Sequence, residues 1–240
     1  MMSRFLAAVQ FLTIVPATSE VSPADGALFF PLIGAAAGAA SGVVYVAAIQ
    51  LFPASIASLF ALLFLLVITG ALHEDGLADV FDAFRAGRSA DRIHAILKDS
   101  RIGTFGAVAL LTTILLRWQS IGLLGAAAIS ALAAAVGASR GAMVALAYIS
   151  EPAGEGLGKS FCQELRPFTA GTAVLQAAAL PFLRGPKAGV AALIGNTIAI
   201  LAARAYFRRR IGGVTGDCLG ALCQVSEVLL LLIFICPLFT

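Results

Sequence analysis

Apolar stretches alternate along this chain with short polar breaks, and the breaks predict its elements. Ala27 to Gln50, Ala54 to Leu72, Thr104 to Leu116, Ser120 to Tyr148, Phe168 to Leu183, Gly189 to Phe207 and Ser226 to Phe239 each read as membrane-crossing helices. A hydrocarbon core of about 30 Å takes about 20 helical residues, and only a closed backbone can cross it. The pattern predicts an all-α polytopic transmembrane helix bundle of about seven spans, one membrane domain over residues 1–240. Gly34, Gly38 and Gly42 stand at i, i+4 and i+8, a stripe that lets a neighbouring helix approach closely. Met1 to Pro16, interrupted by Gln10 and Thr13, is a poor signal peptide and predicts a short amphipathic or re-entrant segment. Arg117-Trp118-Gln119 reads as an interfacial anchor. The long Ala-rich helix that follows either tilts or breaks near Gly137, Arg140 and Gly141.

Composition agrees, since 60% of the residues are hydrophobic and only 12% charged, far from a soluble domain of 240 residues. The net charge of +3 matters less than its distribution. Basic residues gather between Arg85 and Arg101, at Lys159 and Arg166, and from Arg204 to Arg210. That bias places those loops and the N-terminus in the cytoplasm and the C-terminus outside. Cys162, Cys218, Cys223 and Cys236 form no CxxC pair and read as small buried hydrophobes. No internal period supports an inverted-repeat transporter.

Against this background the polar clusters stand out. His73-Glu74-Asp75-Gly76-Leu77-Ala78-Asp79-Val80-Phe81-Asp82 follows directly on an uncharged run. Read as helix, it projects Asp75, Asp79 and Asp82 from one face. Three like charges repel, so this face is either solvated or holds a hard cation such as Mg²⁺, Mn²⁺ or Ca²⁺. Lys98-Asp99-Ser100-Arg101-Ile102-Gly103-Thr104-Phe105-Gly106 sets two cations beside a Gly-flanked helix start. That suits a phosphate, or it is the basic flank of a span with Ser100 as its cap. Ile211-Gly212-Gly213-Val214-Thr215-Gly216-Asp217 resembles a backbone nest, with Asp217 free for a metal and Thr215 and Gly216 near an anion. Glu227, inside the last span, needs a partner. His73 is a general base or an interfacial polar residue, and His94 reads as a surface residue. Acids, cations and glycines on one membrane face suggest transfer of a phosphate-linked group. The alternative is an ion-coupled membrane transporter.

Gly70-Ala71-Leu72-His73-Glu74-Asp75-Gly76-Leu77-Ala78-Asp79 with Asp82, the Lys98 to Gly106 stretch, and Gly213-Val214-Thr215-Gly216-Asp217-Cys218-Leu219-Gly220-Ala221 together resemble the cobalamin synthase family, the adenosylcobinamide-GDP ribazoletransferases. Phe11-Leu12-Thr13-Ile14-Val15-Pro16 and Phe29-Phe30-Pro31-Leu32-Ile33-Gly34 extend the likeness over nearly the whole chain. The resemblance implies a bacterial inner-membrane enzyme, its active site facing the cytoplasm and built from 73–106 and 208–227. It implies corrinoid and ribazole substrates, Mg²⁺, membrane lipid, no nucleic acid, and other enzymes of cobalamin assembly as partners. Asp75, Asp79 and Asp82 would hold Mg²⁺, with Glu74 and Asp217 as further ligands. Lys98 and Arg101, with Ser100, Gly103, Thr215 and Gly216, would hold the pyrophosphate. Asp99, His73 or Asp82 would act on the proton of the incoming hydroxyl.

Overall fold

The computed structural model describes residues 1–87, 89–99 and 101–239; Arg88, Ser100 and Thr240, and with them the expected role of Ser100, lie outside the described residues. Helices follow one another as α1 (Met2–Leu12), α2 (Pro23–Gly26), α3 (Phe30–Ala48), α4 (Ala54–Ile68), α5 (Leu72–Ala86) and α6 (Ala90–Leu97). The second half continues with α7 (Thr104–Leu124), α8 (Ala128–Ile149), α9 (Leu157–Glu164), α10 (Pro167–Ala179), α11 (Pro186–Ile211) and α12 (Gly216–Ile235). Among the described residues the only strand-like pairing is an isolated bridge between Pro152 and Val214. Proline sits in the first turn of α2, α3, α10 and α11, where its missing N–H would be unpaired anyway.

Helix α8 is the axis of the bundle, buried along most of its length. The glycine stripe of α3 runs antiparallel along it, as expected of small-xxx-small spacing. A Cβ on Gly34 would lie 2.8 Å from the Val136 carbonyl oxygen, and one on Gly42 2.5 Å from Cα of Ile129. Gly141 admits α10 on another face, against Ala177, Gly137 meets Leu180 just beyond the end of α10, and the helix passes through Arg140 without a break. The break lies earlier, at Gly125, whose φ of 55° and ψ of −131° end α7. Helix α7 begins beside Asp82 and ends where Tyr45 Oη donates to the Gly122 carbonyl. Helix α8 begins against Gly42 and ends by the Pro152 to Val214 bridge. The two legs therefore run in opposite directions.

Among the described residues, four helical stretches are long and apolar enough to cross a membrane, with residues 104–149 counted as one; the bent pair α4 and α5 makes a fifth. The doubling back at Gly125 splits 104–149 into legs of 21 and 22 residues. Helices α4 and α10, at 15 and 13 residues, are shorter than a full crossing. The first half of the expected last span was also missed: α12 starts ten residues earlier, at Gly216, because Thr215 caps it by accepting from the Cys218 N–H. Cys162, Cys218 and Cys223 are free thiols, and Cys218 and Cys223 are buried.

Candidate active site

Helix α5 carries the acids, and its direction is set by two left-handed residues in a row, Gly70 (φ 61°) and Ala71 (φ 53°), which turn it 88° from α4. Left-handed backbone is ordinary for glycine and strained for alanine by about 1–2 kcal/mol, so the surroundings must hold this bend. They do so through α12. A Cβ on Gly76 would come within 3.0 Å of the Asp217 carbonyl, and one on Gly220 within 3.5 Å of His73 Cα, so the two helices touch backbone to backbone.

That contact opens a cavity of about 730 Å³ at the end of the bundle. Of the residues expected at the site, His73, Asp75, Lys98, Thr215, Gly216 and Asp217 line it. Asp79 stands one turn along from Asp75 and lies within electrostatic reach of Asp75, Asp82 and Asp217. Asp75, Asp79 and Asp217 take part in none of the ion pairs among the described residues. Thr215 donates to Asp217 Oδ2 at 3.3 Å, which orients that carboxylate. No three His, Cys, Asp or Glu side chains among the described residues converge as a closed metal cage. The donor set nevertheless suits Mg²⁺, which is commonly held by one or two carboxylates together with substrate phosphate.

His73 is only 1% exposed, lies at the cavity wall, and neither ring nitrogen has a hydrogen-bond partner. Such a group is costly unless something else completes it. Lys98, Lys159 and His94 also line the cavity and supply its basic side chains. His94 is thus no plain surface residue: its ring packs on Gly154 and turns into the cavity. Lys98 Nζ lies 3.8 Å from Glu155 at the exposed mouth, a contact of little energy. Phe11 and Phe161 complete an apolar wall, stacked in parallel at 6.3 Å.

Five of the expected residues, Asp82, Gly103, Asp99, Arg101 and Glu74, are occupied elsewhere. Asp82 accepts from the N–H groups of Gly103 at 2.7 Å and Gly106 at 2.9 Å. The anion at the start of α7 is therefore the chain's own carboxylate, which accounts for Gly103 without a bound phosphate and leaves Asp82 poorly placed as metal ligand or base. A Cβ on either glycine would overlap that carboxylate. Gly106→Ala is expected to lower the thermal unfolding midpoint in detergent, through a loss of roughly 1–3 kcal/mol from overpacking. Asp99 is held by Arg101, whose Nε donates at 3.0 Å and Nη2 at 2.7 Å. That guanidinium lowers the Asp99 carboxyl to about 2, too weak a base for work near neutrality.

Glu74 faces away from the cavity. Arg117 Nη1 donates to its Oε1 at 2.6 Å and to Gln224 at 3.1 Å, and Arg117 Nη2 reaches Glu227 at 2.8 Å. Arg140 pairs with the other oxygen of Glu227 and also donates to Ser139 at 2.9 Å. Arg117 is 1% exposed, so it is no interfacial anchor; it is the centre of a buried network joining α5, α7, α8 and α12. Glu74 is thereby committed to Arg117 and does not line the cavity. The network is balanced, two cations against two carboxylates, as buried charge must be.

A family model described as cobalamin-5-phosphate synthase matches residues 4–235. The chain belongs to that family. A family relative from Ralstonia nicotianae, named adenosylcobinamide-GDP ribazoletransferase, is 39% identical over 239 residues, 93% of this chain and 91% of its own. One of the same name from Escherichia coli strain K12 is 37% identical over 243 residues, 95% of this chain and 97% of its own. No solved structure matches the chain. Membership in a family of synthases gives the ion-coupled transporter alternative no support.

Proposed function

We propose that this chain joins adenosylcobinamide-GDP to α-ribazole, or to α-ribazole 5′-phosphate, with release of GMP. The observation that carries the reading is one cavity lined by both the carboxylates Asp75 and Asp217 and the cations Lys98 and Lys159, in a chain whose relatives bear the transferase's name. The ribose hydroxyl of α-ribazole would attack the phosphorus nearest cobinamide. A new P–O bond forms as the P–O bond to GMP breaks. His73, whose two ring nitrogens have no hydrogen-bond partner within the protein, would take the hydroxyl proton. Lys98 and Lys159 would hold the phosphates as point charges, and the Phe11 and Phe161 wall suits a planar base.

Asp75, Asp79 and Asp217 are the residues that would hold Mg²⁺. Bound there, the ion would neutralise charge gathering on the transferring phosphoryl oxygens. On this reading the site faces the cytoplasm of a bacterial inner membrane. Arg85, Arg92, Arg101, Arg166 and Arg208 to Arg210 belong to the same end of the bundle, while Arg184 and Lys187 belong to the other. That asymmetry supports a cytoplasmic N-terminus. Other enzymes of cobalamin assembly would reach the exposed α6 and α9 at the cavity mouth.

The test is GMP release by purified protein in lipid vesicles, given adenosylcobinamide-GDP and α-ribazole, with and without Mg²⁺. Release that requires the metal and matches cobalamin formed one for one is the expected result. Folded protein that releases no GMP with both substrates present would overturn the assignment.

A further inference from the structure

A second, smaller cavity of about 170 Å³ lies at the end of α11, apart from the substrate cavity. Arg204 and Arg208 both line it, one turn apart on the same helix, together with Ser150, Gly213 and Val214. Neither arginine takes part in an ion pair among the described residues. Glu151 also lines the cavity, but its exposed carboxylate pairs with neither. The buried Arg204 Nε and Ser150 Oγ have no hydrogen-bond partner. Arg210, by contrast, is fully engaged, donating at 2.8 Å to the carbonyls of both Phe84 and Gly87. Two unpaired guanidinium groups around a small polar cavity with orphaned donors describe a receptor for a phosphate-sized anion.

The rest of α11 indicates where that anion comes from. Only 11% of its most apolar stretch is buried inside the protein, so the helix faces lipid. Val190, Ile194, Ile198 and Leu201 are all about half exposed or more. Their spacing of four, four and three residues makes one stripe, which continues at the same spacing to Arg204 and Arg208. An acyl chain laid along the stripe would bring its phosphate to the arginines. We propose that this cavity binds the phosphate of an anionic phospholipid. Val214 forms its wall, pairs with Pro152, and is followed directly by Thr215, which caps α12 and lines the substrate cavity. A bound headgroup would therefore brace the segment that presents Asp217. This last consequence rests on the proposed transferase reading, whereas lipid retention does not.

The experiment compares wild type, Arg204→Gln/Arg208→Gln, the single variant Arg208→Gln and the control Arg209→Gln, an exposed arginine outside the cavity. Each is exchanged into nanodiscs of phosphatidylcholine mixed with phosphatidylglycerol, and retained lipid is counted by native mass spectrometry. A second arm measures the thermal midpoint in phosphatidylcholine alone, with and without inorganic phosphate. Wild type and Arg209→Gln are expected to retain phosphatidylglycerol over phosphatidylcholine by roughly tenfold or more, the preference of two arginines at a membrane surface. The single variant is expected to lose part of that preference and the double variant all of it. Stabilisation by inorganic phosphate that needs Arg204 and Arg208, without lipid preference, would keep the phosphate site but overturn its lipid source. Equal lipid retention by wild type and both cavity variants, with no phosphate shift, would overturn the site. Retained lipid preference without GMP release would instead count against the transferase reading alone.

Discussion

Glu227→Gln is expected to destabilise the protein by about 3–5 kcal/mol, a large share of the roughly 5–15 kcal/mol that holds a typical domain folded. Glu227 is fully buried and is the one carboxylate that Arg117 and Arg140 share. Its removal leaves two guanidinium groups facing Glu74 alone, and an unbalanced charge in a dry interior is far more costly than a missing contact. Replacing the network as a whole should behave differently. Glu74→Leu/Arg117→Met/Arg140→Met/Glu227→Leu removes both signs together and is expected to restore the unfolding midpoint to near the wild-type value. Thermal unfolding of the two variants in one detergent checks both statements. A quadruple variant less stable than Glu227→Gln would mean that the charges contribute more than their mutual neutralisation.

Asp79→Asn is expected to reduce GMP release by roughly 10²–10³-fold, the usual effect of removing one preorganised electrostatic group at a phosphoryl site. Its folding should be unaffected, because Asp79 makes no hydrogen bond or ion pair among the described residues and stands among the like charges of Asp75, Asp82 and Asp217. Asp82→Asn is the contrasting case. Its two oxygens serve the start of α7, so the loss should fall on stability, by about 0.5–2 kcal/mol, before it falls on chemistry. Activity and unfolding midpoint measured side by side separate the two aspartates. Retained turnover in Asp79→Asn would remove Asp79 from the metal-holding set.

The helical bundle and the place of its chemistry were legible because both are written in strong contrasts. Charge is scarce in this chain, so a run of acids at the end of an apolar stretch marks a site, and the Gly34, Gly38, Gly42 spacing marks a close helix contact. Which of the acids face the cavity was only partly legible. Glu74 and Asp75 are neighbours in sequence but about 100° apart around α5, so one joins Arg117 and the other lines the cavity. Helical phase alone separates Glu74 from Asp75, Asp79 and Asp82. It does not separate Asp82, because a helix start that needs an anion looks the same whether substrate or the protein provides it. Arg117 next to Trp118 resembles an anchor at the membrane edge, and only the three-dimensional arrangement shows Trp118 bonded to the Ser55 carbonyl while Arg117 turns inward. The one sequence signal for the buried network was Glu227, an intramembrane acid in want of a partner. His94 and Lys159 carried no signal, since they reach the cavity only when α6 and α9 fold over it.

The buried network also sets an order of events during synthesis. Arg117 and Arg140 leave the ribosome long before Glu227, which belongs to the last helix, and Glu74 by itself can neutralise only one of them. Until α12 arrives, α7 and α8 each carry a cation that a lipid interior disfavours by about 2.5–3.5 kcal/mol. The two helices must therefore wait beside the insertion machinery, or beside each other with water between them, for the closing segment. A chain cut short before Gly216 would hold the acids of α5 and both arginines with no means of completing the bundle, a product for quality-control proteases rather than a smaller enzyme.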